Sequence, residues 1–135
     1  MTADIRQLLP RDKFDTNAVR SIAEAGYPAI APILDELVDW TADGNWPVAQ
    51  PLADYLITLG DPLAAPVSRV LRGSDASQKE SCIRLIVGRL PIGTLRKLDG
   101  DLRRLAEQPT DDDRREEADV AAREALARLD DKENP

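Results

Sequence analysis

Histidine is absent from this 135-residue chain, and cysteine occurs once, at Cys82. The first absence removes Ser-His and Cys-His catalysis, His-ligated metals and haem held by histidine. The second removes an internal disulfide and fits a reducing compartment, so the expected location is cytoplasmic. Aromatics are scarce: Phe14, Tyr27, Trp40, Trp46 and Tyr55 are all there are, and all lie in the first 55 residues. No apolar run approaches the ~18 residues of a membrane span. After Met1 the chain leads straight into patterned sequence, with no charged-then-apolar leader. Period-two alternation is missing as well, and no Asn-Gly or Asp-Gly hairpin stands between strand-like runs.

What is present reads as one globular domain. The chain is 42% hydrophobic and 32% charged, enough apolar residues to bury a core and too many for disorder. The domain is expected over residues 1–129, with residues 130–135 a frayed acidic tail that has nothing apolar to bury. The net charge of −7 is unevenly spread: residues 1–61 carry −6, residues 62–100 carry +4 and residues 101–135 carry −5. Overall acidity argues against general affinity for DNA, RNA or anionic lipid.

Helical periodicity supplies seven apolar stripes. They run through Val19–Ala23, Ile30–Val38, Val48–Leu59, Leu63–Leu71, Cys82–Leu90, Leu95–Leu105 and Ala118–Leu129. Asp15 or Thr16 is a candidate cap for the first. A break is expected at Gly100 in the sixth. Thr110 with Asp113 three residues on resembles a capping box opening the last. A short helix is expected over Asp4–Leu9, stopped by Pro10.

The punctuation repeats. A 34-residue shift lays Gly26-Tyr27-Pro28-Ala29-Ile30-Ala31-Pro32-Ile33 on Gly60-Asp61-Pro62-Leu63-Ala64-Ala65-Pro66-Val67, and five of twelve positions from 26 and 60 onward are identical. Gly26 and Gly60 suit the left-handed residue that ends a helix. Six prolines form pairs four apart, Pro28/Pro32, Pro47/Pro51 and Pro62/Pro66. Proline deep in a helix costs about 3 kcal/mol, so each pair reads as a helix start, with its second member in the first turn. Two helices per period of this length predict an all-α fold: a short α-solenoid of antiparallel helix pairs, HEAT/armadillo-like, with six to eight helices.

The Gly-x-Pro-x-x-Ala-Pro-hydrophobic pattern resembles HEAT-type repeats over roughly residues 16–107. Leu8-Leu9-Pro10-Arg11-Asp12-Lys13-Phe14-Asp15 and Asn45-Trp46-Pro47-Val48-Ala49-Gln50-Pro51-Leu52-Ala53 resemble the signatures of a bacterial family of uncharacterised small HEAT-like domains. The resemblance implies a scaffold or adaptor. A minority of HEAT proteins act on DNA bases, with a strongly basic concave face, or assist pigment attachment.

Candidate sites follow, each with its plainer reading. Trp46 sits at an inter-helix junction. It is either a binding anchor or a plug between the first two repeats, with Asn45 capping a helix. Asn45, Trp46, Gln50 and Tyr55 make the candidate partner-binding face, which would suit a basic protein partner; Trp40 reads as core. Arg69, Arg72, Arg96 and Lys97 form a candidate anion patch within the basic block. The alternative is that these bases pair with Asp112, Glu116 and Asp119 near the last helix. No aromatic accompanies them for base stacking. Asp12, Lys13 and Asp15 read as a cap with a local ion pair, Asp111-Asp112-Asp113 as a complement to a helix dipole, and Cys82 as a structural thiol. Ser74, Ser77 and Ser81 show no base partner. No cofactor or metal is expected. The leading expectation is a non-catalytic protein-interaction module. An immunity protein neutralising a basic toxin and an anion- or nucleic-acid-binding domain are the alternatives.

Overall fold

The computed structural model describes residues 4–133, and these are all-helical, with nine α-helices and no strand among them. The helices are α1 Asn17–Ala25, α2 Leu34–Asp39, α3 Ala49–Leu56, α4 Ala64–Leu71, α5 Ala76–Leu85, α6 Ile92–Arg96, α7 Asp99–Glu107, α8 Asp111–Arg115 and α9 Ala118–Glu133. Short 3-10 turns flank several of them. The first, Ile5–Leu8, occupies the expected Asp4–Leu9 helix and is capped by the Asp4 carboxylate, which accepts the Arg6 N–H.

Seven stripes give nine helices because the sixth is split in two and a short helix, α8, precedes the last. In the sixth the break falls at residues 97–98, where α6 ends and a turn intervenes. Gly100 instead lies inside α7. The capping box is present: Thr110 Oγ1 accepts the Asp113 N–H, and the Asp113 carboxylate accepts the Thr110 N–H. It opens the five-residue α8, because Glu117 adopts a φ of 62° and separates α8 from α9. The expected tail begins inside the last helix. Helix α9 continues to Glu133, with the Asp130 carboxylate 3.6 Å from Arg103 on α7. Asn134 and Pro135 lie outside the described residues.

Gly26 and Gly60 share a positive φ, 69° and 70°, which few side chains adopt, but with ψ of 176° and −128° neither is the left-handed helical residue expected. Pro32 sits in the 3-10 turn that runs into α2. Pro51 and Pro66 are each the third residue of their helices, where an absent N–H breaks no helical bond. Residues one offset apart do the same job: Ile33 and Val67 are buried, as are Leu37 and Leu71.

The core is aliphatic. Helix α3 turns Ala49, Leu52, Ala53 and Leu56 inward, and α4 turns Val67, Val70 and Leu71. Helix α9 buries four alanines with Leu126 and Leu129. Small side chains along that face let it lie close against both α5 and α7, its main neighbours. Helix α1 packs on α3, α3 on α5 and α5 on α9, while α2 packs on α4 and α4 on α7. None of the five aromatics is fully buried.

Candidate interaction surface

Polar side chains join helices about one sequence offset apart. Asp61 accepts from Thr94, Asp101 from Ser68, Asp54 from Arg89 and Asp113 from Lys79, at separations of 33, 33, 35 and 34 residues. Arg69 on α4 reaches back to two carboxylates of α2, Asp39 at 2.8 Å and Asp35 at 3.4 Å. Arg72 pairs with Asp101 of α7 at 2.9 Å, and Lys97 with Asp61 at 3.4 Å. Arg96, exposed, ends α6 beside Lys97.

Arg69, Arg72 and Lys97 of the candidate anion patch are therefore answered by carboxylates, but not those expected near the last helix. Asp112 pairs with Arg115 and Asp119 with Arg123, their own neighbours along the chain. The reason lies in the stacking, which sets the basic middle block between two acidic ones. Helix α9 contributes arginine instead: Arg128 donates to the Gly88 and Leu90 carbonyls at 2.9 Å.

These pairings move titrations. The Arg89 and Gln50 bonds hold the Asp54 carboxyl below its ordinary range, and the Thr94 hydroxyl, helped by Lys97, does the same for Asp61. Burial alone would raise Asp101, but Ser68 and Arg72 outweigh it and its pKa falls. Burial likewise opposes, and the Thr110 N–H and Lys79 ammonium overcome, in lowering Asp113. Burial pushes the Cys82 thiol up to about 12, so it stays protonated and unreactive as a nucleophile near neutral pH.

The aromatic half is organised by two self-bonded loops. In the first, Asp12 accepts the Phe14 N–H at 2.9 Å and Asp15 accepts the Arg11 N–H at 3.0 Å. Asp15 thus holds its own loop, and α1 starts after Thr16 with no side-chain cap. In the second, Asp43 accepts the Asn45 N–H at 2.8 Å, an Asx turn that sets up Trp46. The Lys13 carbonyl accepts the Val48 N–H at 3.0 Å, so Phe14 is tied beside the 46–48 junction. Trp46 is half-buried against the core and tilted 60° to Trp40, ring centroids 5.9 Å apart. Gly44 lies under Arg84: a Cβ there would come within 2.8 Å of its Nη2.

Asn45 is exposed at this junction. Gln50 is exposed on α3 and donates to Asp54 at 2.8 Å. Tyr55 is half-buried, and burial raises its phenol. Five residues apart on one helix, Gln50 and Tyr55 point about 140° from each other, so the four expected residues do not share one face. Trp40, expected as core, is half-buried like Trp46.

The acidic triplet does not converge. Asp111 and Asp112 pair with Arg114 and Arg115, while Asp113 turns inward. Lys13 sets its ammonium 5.3 Å from the Phe14 ring centroid.

Two features were missed in the sequence. Phe14 is 66% exposed, the most exposed large apolar side chain among the described residues. Its only signal was its place in the charged loop before the first α-helix. Lys79 is buried against Asp113 at 2.9 Å. Its signal was position: Ala76, Lys79, Ile83 and Ile86 fall on one helical stripe, and Asp113 is one offset away.

An all-α domain built from stacked short helices is the class these observations define. The chain belongs to the family described as a domain of unknown function, DUF5071, which matches residues 8–126. No curated protein matches it.

Proposed function

We propose that this chain is a non-catalytic protein-interaction module: a short HEAT-like solenoid whose partner docks at Phe14 and the adjoining Asn45–Trp46 junction. Bonds between side chains 33–35 residues apart support the solenoid, because equivalent positions of stacked repeats are neighbours. The observation that carries the binding face is Phe14. A phenylalanine two-thirds exposed, on a loop held by its own carboxylates and fastened to a half-buried tryptophan pair, contributes little to the core. Exposed aromatics on rigid supports are what interface hot spots use. Asp12 and Asp15 flank it in its own loop and Asp43 closes the adjoining turn, against the one cation Lys13 over the ring, so the fitting partner is a protein with basic side chains beside an apolar contact. The arginines answered by Asp35, Asp39 and Asp101 weigh against a nucleic-acid face. Among the described residues no helix is long and apolar enough to cross a membrane. We read the location as cytoplasmic, in keeping with one buried free thiol.

The test is capture of the native partner by the full chain, then calorimetry with the purified pair. Phe14→Ala should weaken binding by more than about 1 kcal/mol while leaving thermal stability unchanged. Arg69→Ala should leave binding intact. The opposite pattern, binding kept in Phe14→Ala and lost in Arg69→Ala, overturns the reading.

A further inference from the structure

A pocket of about 240 Å³ opens between the end of α4, the side of α5, the end of α7 and the start of α8. Arg72, Lys79, Arg104, Thr110 and Asp113 line it. Its volume is below the ~300 Å³ at which drug-sized ligand sites begin, so it suits a small ion or a single substituent.

The charges around it do not balance. Three cations, Arg72, Lys79 and Arg104, meet two carboxylates, Asp101 and Asp113. Both carboxylates are committed on both oxygens. Asp101 accepts from Arg72 on Oδ1 and from Ser68 on Oδ2, and Asp113 accepts from Lys79 on Oδ1 and from the Thr110 N–H on Oδ2. Arg104 shares Asp101 Oδ1 with Arg72, at the longer distance of 3.7 Å, and donates at 3.3 Å to the Leu71 carbonyl, so two guanidiniums lean on one carboxylate.

The donors do not balance either. The Lys79 ammonium has three N–H bonds, and among the described residues its one acceptor is Asp113. The residue is only 5% exposed and lines the pocket, so the acceptors for the other two come from whatever fills the pocket. A buried ammonium short of acceptors, beside two guanidiniums with N–H groups to spare, makes a surplus of donors at a surplus of positive charge.

We propose that this pocket binds a small phosphate-type oxyanion, held by Lys79 and Arg104 with Arg72 at the mouth. The ligand supplies the missing negative charge and the missing acceptors together. The site shares no residue with the Phe14 surface, so it stands or falls independently of the interaction reading. It also differs from the patch suggested by sequence: Arg72 is common to both, while Arg69 and Lys97 are paired elsewhere.

The experiment titrates the full chain with inorganic phosphate, and separately with free phosphoserine, at constant ionic strength made up with chloride. Amide chemical shifts are the readout. Saturable shifts centred on residues 71–79 and 104–113 are expected, and the relative affinities of the two probes tell a free ion from a phosphoryl substituent. Arg104→Gln should weaken binding at least about tenfold, since one charge-assisted hydrogen bond carries that much. Arg104→Lys should recover part of it. Arg69→Gln, with the same charge change outside the pocket, should bind as the parent does. Shifts that never saturate, or equal losses in Arg104→Gln and Arg69→Gln, would show general screening of an arginine-rich surface and overturn the proposal. Retention of tight phosphate binding in a folded Arg104→Gln protein overturns it too.

Discussion

Replacing Lys79 by methionine isolates the one fully internal ion pair described. The side chains of Lys79 and Asp113 are 7% and 4% exposed, so solvent screens this pair far less than it screens the surface pairs. Removing one member of such a pair costs about 3–5 kcal/mol, mostly because the other is left buried and uncompensated. Two features bring this site to the lower end. Asp113 keeps the Thr110 N–H on its second oxygen, and methionine refills the volume of the lysine stem. The expected loss is about 3 kcal/mol, a fall in Tm of roughly 10 °C for a domain of this length. Urea unfolding at neutral pH, followed through the fluorescence of Trp40 and Trp46, measures it directly. The double variant Lys79→Met/Asp113→Asn removes the stranded charge while an asparagine carbonyl still accepts from Thr110, so about half the loss should return. The Lys79→Met penalty should also shrink in acid, where an unpaired buried carboxyl takes up a proton. A loss under about 1 kcal/mol, the worth of an exposed pair, would refute the argument, as would a double variant no better than the single.

Acid should unfold the protein through its bonded carboxylates. Asp101 and Asp113 have folded pKa values below their ordinary range, so the unfolded chain takes up protons first as pH falls; their contribution is complete above about pH 4 and is lost below it. Asp113→Asn should flatten the acid limb of a stability-versus-pH curve, and an unchanged slope would count against the pairing. Gly26→Ala should cost about 1–3 kcal/mol in chemical denaturation from backbone strain alone, since φ is 69° with ψ 176° and the nearest atom to an added Cβ is 3.7 Å away. A neutral Gly26→Ala would mean that the turn relaxes to negative φ.

The helix starts were legible because they depend on local chemistry. Gly26 and Gly60 take positive φ, Pro51 and Pro66 sit in first turns, and the Thr110–Asp113 box closes on itself, all within a few residues of chain. The ends were less so. The break at residues 97–98 has no glycine or proline to mark it, whereas Gly100, three residues into the next turn of chain, is tolerated inside α7. The partners of the arginines were out of reach for another reason. Asp35, Asp39 and Asp101 meet Arg69 and Arg72 only after α2, α4 and α7 have stacked, and the density of acids in the last block pointed to the wrong ones. Lys79 broke the expectation that lysine is exposed, and the helical stripe it shares with Ala76 and Ile83 was the available warning. The aromatics misled in the other direction: half-burial of Trp40, Trp46 and Tyr55 belongs neither to a closed core nor to an open face.

If the helices are the stacked repeats proposed above, the contacts between carboxylates of one segment and bases of the next bear on how such an array can grow. Its segments alternate in sign, −6, +4 and −5. Tandem duplication, the usual route by which stacked arrays lengthen, would set a copy against its parent, acid facing acid at Asp35 and Asp39 or base facing base at Arg69 and Arg72. Each such junction would lose its bonds and add repulsion instead. Only duplication of an acidic and a basic segment together keeps every junction matched, so the charge pattern makes two helical pairs, rather than one, the smallest viable increment of length.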